Sequence, residues 1–483
     1  MGGTRLMRKR WLFLCMIILV GIGVLGYWKY QKTDKAVQAD QDVFQSVEEA
    51  YDLIRKQSVH ETSEKQLIEG AINGMAGSLK DPYSTYYTKE EAKLHREQLS
   101  DERVGIGAEI TESQGRFIII SPMKDSPAEK AGLKSYDEIV QVDKERTDGK
   151  SLTELLALIR GKEGTVVKIT VYRPSEERHV ELNITRAAIT QKSVSSKVLV
   201  SEGKNIGYIS IAMFGEKTAE EWYKNTDELV KQNITALIID VRSNPGGYLK
   251  SVAQIIGSLT KPKTTFAYME DAVGNQEPLQ LGKKDLAFEY DEQLQKLPTV
   301  LLQDEGSASA SEVLSGALKE LSRATIIGDK SFGKGTVQGT WPLSNGGELK
   351  LSTHKWLTPK REWIHGKGIK PTIEVEQDAL YHINLPPITG NFKEGDFAES
   401  IQYVQQVLKA QGYSINRVDG YFDRTTAEAV KEYSKKHNLN NNKIMDEEFL
   451  FALRQEVVKY REKLENDLQL QMAISYLSHK ISN

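Results

Sequence analysis

The sequence of 483 residues predicts a multidomain α/β protein. Three observations carry that expectation. At roughly 100 to 200 residues per domain the length calls for about three domains. Two stretches, 104 to 186 and 206 to 375, interleave short β-rich runs with helical patterns, as α/β domains do. The segments on either side repeat their apolar residues at the helical spacing of three and four. With 64 Lys+Arg against 67 Asp+Glu the net charge is -3, not the basic footprint of a dedicated nucleic-acid binder, so no nucleic-acid partner is expected. The one cysteine, Cys15, excludes an intramolecular disulfide and a Cys-rich zinc site, and the 8 histidines show no paired ligand spacing. Neither a metal nor a cofactor is expected.

Cys15 lies in the apolar run Trp11 to Trp28, 18 residues that carry no charge and are just long enough to be marginal as a membrane span. Arg5, Arg8, Lys9 and Arg10 precede it. Residues 1–10 are therefore expected as a cytoplasmic tail and 11–28 as a transmembrane signal anchor, with the remainder outside the cytoplasm. No A-x-A site follows, Tyr27 and Trp28 suit the membrane interface, and Leu12-Phe13-Leu14 lacks the small residue of a lipoprotein site, so the anchor is expected to stay uncleaved. Region 29–103 reads as helical: Val43, Phe44, Val47, Ala50, Tyr51 and Ile54, then Leu67, Ile68, Ala71, Ile72, Met75 and Leu79, mark two amphipathic helices that stop at a turn, Asp81 to Tyr87.

Segment 104–186 reads as a compact α/β module with strands at Phe117 to Ile120, Glu138 to Val142, Val166 to Tyr172 and Val180 to Ile184 and helices near Pro127 to Gly132 and Leu152 to Ile159. Val167, Ile169 and Val171 alternate with Lys168 and Thr170, which turns Lys168 outward. Segment 187–384 reads as a layered α/β domain with strands at Gly207 to Ile211, Ala236 to Val241, Thr299 to Gln303 and Thr325 to Gly328. Pro386-Pro387 marks a linker into a polar helical module, 385–455, whose helices are separated by the loop Val418 to Asp423; a last helix occupies 456–483.

Three motifs of the layered domain could carry chemistry. Gly306-Ser307-Ala308-Ser309-Ala310-Ser311-Glu312 sits between an apolar strand and a helical pattern, where a hydroxyl meets free N–H groups and the positive end of a helix. Read alone, these serines cap the helix and Glu312 completes a capping box. Downstream, Gly333-Lys334-Gly335-Thr336-Val337-Gln338 is more strand than helix, and on a strand Lys334 and Gln338 share a face. No Gly-x-Ser-x-Gly elbow or His/Asp pair appears, which leaves a Ser-Lys nucleophile pair. Such a lysine must lose about 3 pKa units through desolvation or nearby positive charge, at a cost of roughly 4 kcal/mol. Gln338 could hold its amine without restoring the proton as a carboxylate would. Asp240-Val241-Arg242-Ser243-Asn244-Pro245-Gly246-Gly247 closes another apolar strand with a turn whose bare N–H groups suit an oxyanion hole.

With Asp81 to Tyr87, Val104-Gly105-Ile106-Gly107, Arg160 to Thr165 and His365-Gly366-Lys367-Gly368-Ile369, these motifs make the chain resemble the C-terminal processing peptidases, PDZ-containing Ser-Lys tail-specific proteases, from Val43 to Val375. The resemblance implies a crotonase-like core of the ClpP/tail-specific protease kind, Ser309 as nucleophile, Lys334 as general base, Gln338 orienting the lysine, and an oxyanion hole from Ala310 with Gly246 or Gly247. It implies that 104–186 is a PDZ domain whose loop Val104, Gly105, Ile106, Gly107 clasps a C-terminal carboxylate, with protein or peptide tails as partners. Lys134-Ser135-Tyr136-Asp137 departs from the usual Pro-Gly turn. Segment 385–455 is similar to peptidoglycan-binding modules, implying peptidoglycan as a partner, or else a docking or homodimer-forming bundle. The order anchor, PDZ, protease, helical module is similar to CtpB-type enzymes of endospore-forming bacteria, implying regulated processing of membrane-associated signalling proteins in sporulation. Lys168 is a regulatory candidate, contacting the protease domain in one docked position of a gating PDZ module; the plain alternative is a solvated lysine. A non-catalytic scaffold at the cell wall is the rival of the peptidase reading.

Overall fold

The computed structural model describes residues 44–99, 102–113, 115–123, 125–190, 192–383, 385, 390–439 and 443–482. The expected tail and anchor, 1–28, and Pro386-Pro387 lie outside them. No helix among the described residues is long and apolar enough to cross a membrane. The chain divides into two units, 1–88 with 342–350, and 89–341 with 351–483.

In the first unit, helices run over 44–57 and Glu64–Gly77. The second starts where Ser63 and Gln66 cap each other reciprocally. Much of their apolar surface faces solvent, including Leu53 and Met75. Asp81 closes the expected turn by accepting from Tyr83 N–H and the Ser84 hydroxyl, but the turn ends sooner than expected: Thr85–Tyr87 forms a strand antiparallel to Glu348–Lys350.

In the second unit, the 104–186 module is a sheet in the order Ala108–Ser113, Arg116–Pro122, Glu138–Val142, Val166–Arg173, Arg178–Thr185, with helix Leu152–Ile159 closing a core of Phe117, Ile119, Leu155, Ile169 and Ile184. Ala108–Ser113, which the sequence pattern did not announce, is its edge strand. Val104 and Gly105 belong to a short strand paired with Ala187 and Ala188, so the loop proper narrows to Ile106 and Gly107. Gly107 has φ 73°, and a Cβ there would fall 2.5 Å from that of Ser126. The turn that lacks Pro-Gly holds Tyr136 at φ 72°. It is anchored by the fully buried Asp137, which takes two 2.7 Å hydrogen bonds from Arg173.

The layered domain is built on a six-stranded sheet. Its elements are β1 (Val194–Ser201), β2 (Lys204–Ile211), α1 (Thr218–Lys231), β3 (Ala236–Asp240), α2 (Leu249–Leu259), β4 (Thr299–Gln303), α3 (Ala310–Glu320), β5 (Thr325–Gly328) and β6 (Ile373–Glu374), and the strands lie in the order β1-β2-β3-β4-β5-β6. Only the β1–β2 pairing is antiparallel. Continuous apolar strands imply burial on both faces, and alternation divides them. Ile209, Leu237, Ile239, Leu301 and Ile326 face α1, α2 and α3, whereas Ile206, Ala236, Ile238, Val300, Leu302 and Ile327 face the other way.

That second face is covered by α4 (Leu468–Ser482), through Leu470, Ala473 and Leu477. Before it, helices Glu399–Ala410, Arg424–Lys436 and Glu447–Glu462 pack around Val404, Phe422, Tyr433 and Phe449. The boundary drawn from sequence at 455 falls inside the third of these helices, because Leu453 and Val457 continue one apolar stripe into one core. The last segment completes the layered domain instead of standing apart.

The junction is polar and buried. Arg242, just past β3, donates to both oxygens of Asp240 and, at 2.8 Å each, to both oxygens of Asp467 ahead of α4. Burial pushes the Asp467 carboxyl up, but the hydrogen bonds and charge of Arg242 outweigh it and hold it below the ordinary range. A carboxyl with a depressed folded pKa stabilises the fold above its unfolded value of about 3.9, and that contribution is lost as pH falls through the folded value. Asp467→Asn should therefore cost about 1–3 kcal/mol at pH 7, and the difference from the parent should shrink below about pH 4 in denaturant unfolding. A difference that is constant from pH 7 to pH 3 would place the effect elsewhere.

Candidate active site

Ser309 lies between β4 and α3 with φ 54° and ψ −112°. For a residue with a Cβ this backbone costs of order 1–3 kcal/mol and must be held from outside. Its own N–H donates to Glu312 Oε2 at 2.9 Å, whereas the Glu312 N–H bonds the Ser309 carbonyl at 2.8 Å, so the hydroxyl is not spent on the cap. The loop ahead of it is tied to the end of β3: Ser307 Oγ donates to the Val241 carbonyl and Asp304 accepts from Ser243 N–H.

Glu312 does far more than cap. Its carboxylate is fully buried. Oε2 also accepts the Lys334 N–H at 2.8 Å, while Oε1 accepts the Gly333 N–H at 2.7 Å and the Ser331 hydroxyl at 2.6 Å. The backbone nitrogens of Ser309 and Lys334 thus share one oxygen, which brings the two motifs together although the sequence separates them. Lys334 itself precedes its strand, which begins at Thr336, so the expectation that alternation along a strand aims Lys334 and Gln338 fails. The loop is shaped by hydrogen bonds instead: the Trp356 indole donates to the Lys334 carbonyl at 2.9 Å, and the Gly335 N–H reaches His365 Nδ1. His365 to Ile369 also supports the serine side, since the Ile369 N–H donates to Ser331 Oγ. Gln338 is on the strand, its amide donating to Thr336 Oγ1 at 3.0 Å and Ser352 Oγ at 3.1 Å.

The glycine turn meets the serine. A Cβ on Gly246 would fall 2.8 Å from that of Ser309 and 3.0 Å from Ala310 N. The fully buried Asn244 fixes the turn: its amide donates to the Ile211 carbonyl, its Oδ1 accepts the Gly246 N–H at 2.9 Å, and its carbonyl accepts from Ala308 N–H and Ser311 Oγ. The Gly246 N–H is therefore engaged. Gly247 faces Phe214, whose N–H bonds the Gly246 carbonyl and whose carbonyl accepts the Tyr248 N–H, a pairing that leaves out the Gly247 N–H. Any side chain on Gly247 would strike the Phe214 carbonyl at 2.2 Å.

Lys168 is outside this region. It pairs at 2.9 Å with Glu181 on the neighbouring strand of its own module. Glu312 and Asn244 were read from sequence only as a cap and a turn, and the sole hint of more was their place inside two strand-end motifs. Among the described residues no His/Cys/Asp/Glu group could hold a metal ion.

An alcohol at a strained strand-to-helix corner, a lysine loop locked to the same carboxylate and a glycine turn against the serine define a serine hydrolase built on an α/β sheet. Family comparison agrees: residues 205–375 match peptidase family S41, 104–184 a PDZ domain, 398–453 a putative peptidoglycan binding domain and 26–91 the N-terminal domain of the activating protease CtpB. The chain is 38% identical over 466 residues to the carboxy-terminal processing protease CtpB of Bacillus subtilis, with 95% of each chain covered. To CtpA of the same organism it is 35% identical over 448 residues, covering 92% of this chain and 93% of that one. A probable CtpA-like serine protease of Staphylococcus aureus is 35% identical over 444 residues, 91% and 87% covered. The chain belongs to the S41 carboxy-terminal processing proteases and carries a PDZ domain, which decides for the enzyme over the scaffold.

Glu312→Gln should leave the chain folded but replace one acceptor oxygen by an NH2 that opposes N–H donors. Expected are a loss of about 1–3 kcal/mol in thermal or denaturant unfolding and, from displacement of the lysine loop, a fall in kcat of up to about 100-fold. Full activity would show that the carboxylate does not hold the site.

Proposed function

We propose that the enzyme is a membrane-anchored, extracytoplasmic endopeptidase that recognises the C-terminal tails of protein substrates through its PDZ domain and cleaves them with a Ser309–Lys334 pair. The observation that carries the chemistry is the single Glu312 oxygen bonded to the backbone N–H of both residues. In this mechanism Ser309 Oγ attacks the scissile carbonyl while its proton passes to the neutral Lys334 amine. Gln338 orients that amine with its amide oxygen. The N–H groups of Gly247 and Ala310 hold the oxyanion; the first is left out of the Phe214 pairing and the second is an orphan donor at the start of α3. Collapse expels the new amine, which takes its proton from Lys334. Water, deprotonated by the same lysine, then hydrolyses the ester, and Ser309 recovers its proton.

Tail recognition is supported by the open edge of Ala108–Ser113, to which a peptide can add as a strand with its carboxylate at Ile106 and Gly107. Anchoring rests on the apolar run 11–28, peptidoglycan binding on the 398–453 match, and a homodimer on the exposed apolar side chains of 44–79. Processing of membrane-associated signalling proteins in sporulation follows the likeness to CtpB.

Digestion of an unstructured test protein, with the cuts mapped by mass spectrometry, tests the chemistry. Ser309→Ala should fold normally and leave no cleavage, and Lys334→Arg should be inactive because guanidinium stays protonated. Unchanged cleavage by the first ends the nucleophile assignment, and by the second the base assignment. If Lys168 contacts the protease domain during gating, Lys168→Ala should shift activation by an added tail peptide without changing the maximal rate; identical activation curves return it to the solvated face.

A further inference from the structure

The PDZ turn that departs from Pro-Gly has a partner. Tyr136 occupies a left-handed backbone, φ 72°, that glycine adopts freely and a side chain does not. Its ring meets Phe451 of the C-terminal helical module edge-on, with centroids 4.1 Å apart and planes at 88°. Beside it Arg116 bridges Glu138 of its own domain and Glu447 of the same helix. Glu447 and Phe451 are one helical turn apart and so share a face, while Phe449, Leu450 and Leu453 turn into the module's core. The contact is a rigid aromatic pair with one part-exposed ion-pair cluster, small enough to open and specific enough to define a position.

Both ends of helix Glu447–Glu462 are engaged. At the far end Arg461 donates to the Leu380 carbonyl, and Tyr381, which donates to the Arg461 carbonyl, lines one cavity with Asp240, Arg242 and Ser243 at the head of the glycine turn. On the PDZ side, the Tyr136 N–H is held by the Ile119 carbonyl, on the strand that pairs with the open edge Ala108–Ser113. A peptide added to that edge is one strand away from the Arg116 and Tyr136 contact.

We propose that Tyr136 and Arg116 dock the PDZ domain on Phe451 and Glu447, and that this docking favours the assembled catalytic site, so that the C-terminal module sets how much tail peptide activation requires. The inference rests on the tail-gating reading above. The docked contact coexists here with a site in which Ser309 and Lys334 are already bridged by Glu312. A tail peptide shifts the balance only by binding the docked state better, and loss of the contact raises the concentration it needs.

The test uses the full chain in detergent, a short peptide ending in a free Ala carboxylate as activator, and its amidated form as the blank. Tyr136→Gly removes the ring while easing the backbone, so it does not unfold the turn. It and Phe451→Ala should shift half-activation to roughly three- to tenfold higher peptide concentration with the saturating rate kept. Arg116→Glu should do the same, and adding Glu447→Arg should restore the parent curve. Amide exchange over 447–454 should rise in Tyr136→Gly. Unchanged exchange overturns the docking. Raised exchange with superposed activation curves overturns its regulatory role. An unactivated parent overturns the gate itself, and the regulatory role with it, while the exchange result still judges the docking.

Discussion

The arrangement of the serine and lysine loops depends on one buried carboxylate. The Glu312 carboxylate, sealed from solvent at the first turn of α3, accepts hydrogen bonds from Ser309, Gly333 and Lys334 N–H groups and from Ser331 Oγ. All four donors are neutral. Burying a carboxylate without such bonds would be prohibitive, and the N-terminus of α3 adds favourable potential from the helix dipole. Because none of the donors carries a charge, the bonds fix geometry without placing a further cation beside the lysine loop. The same carboxylate helps hold the strained backbone of Ser309, whose N–H donates to Glu312 Oε2.

Asn244 plays the corresponding part for the glycine turn. One side chain and one carbonyl join β2, the glycine turn and the serine loop, and by engaging the Gly246 N–H the side chain distinguishes two glycines that look alike on paper. Sheet ends supply both devices. β3 and β4 are paired and packed on both faces, so the loops that leave them start from a well-packed frame.

The strands of the core were legible because residues buried on both faces are mostly apolar, as Ala236 to Ile239 and Val300 to Leu302 are. The site motifs were legible as turns and a cap at strand ends, and their assignment to one site came from the resemblance of the whole set to the processing peptidases. What was not legible depends on partners distant in sequence. Nothing in Gly333 to Gln338 says that a carboxylate on α3 and an indole at Trp356 aim the lysine loop in place of strand alternation. The Leu470, Ala473, Leu477 stripe announces an amphipathic helix but not the sheet it covers. Tyr136, likewise, marked an odd turn, and only the fold supplies Phe451.

The return of α4 to the sheet fixes when the layered core can be complete. Until residues beyond 467 leave the ribosome, Ile206, Ala236, Ile238, Val300, Leu302 and Ile327 have no covering layer, and Arg242 lacks one of its two carboxylates. Domains ordinarily form in the order in which they are synthesised, but here the protease encloses the helical module within its own chain and closes last. A chain that lacks α4 carries the serine, the lysine and the glycine turn on a sheet with one bare apolar face. The layered core is thus complete only when a segment from beyond the helical module has returned to the sheet.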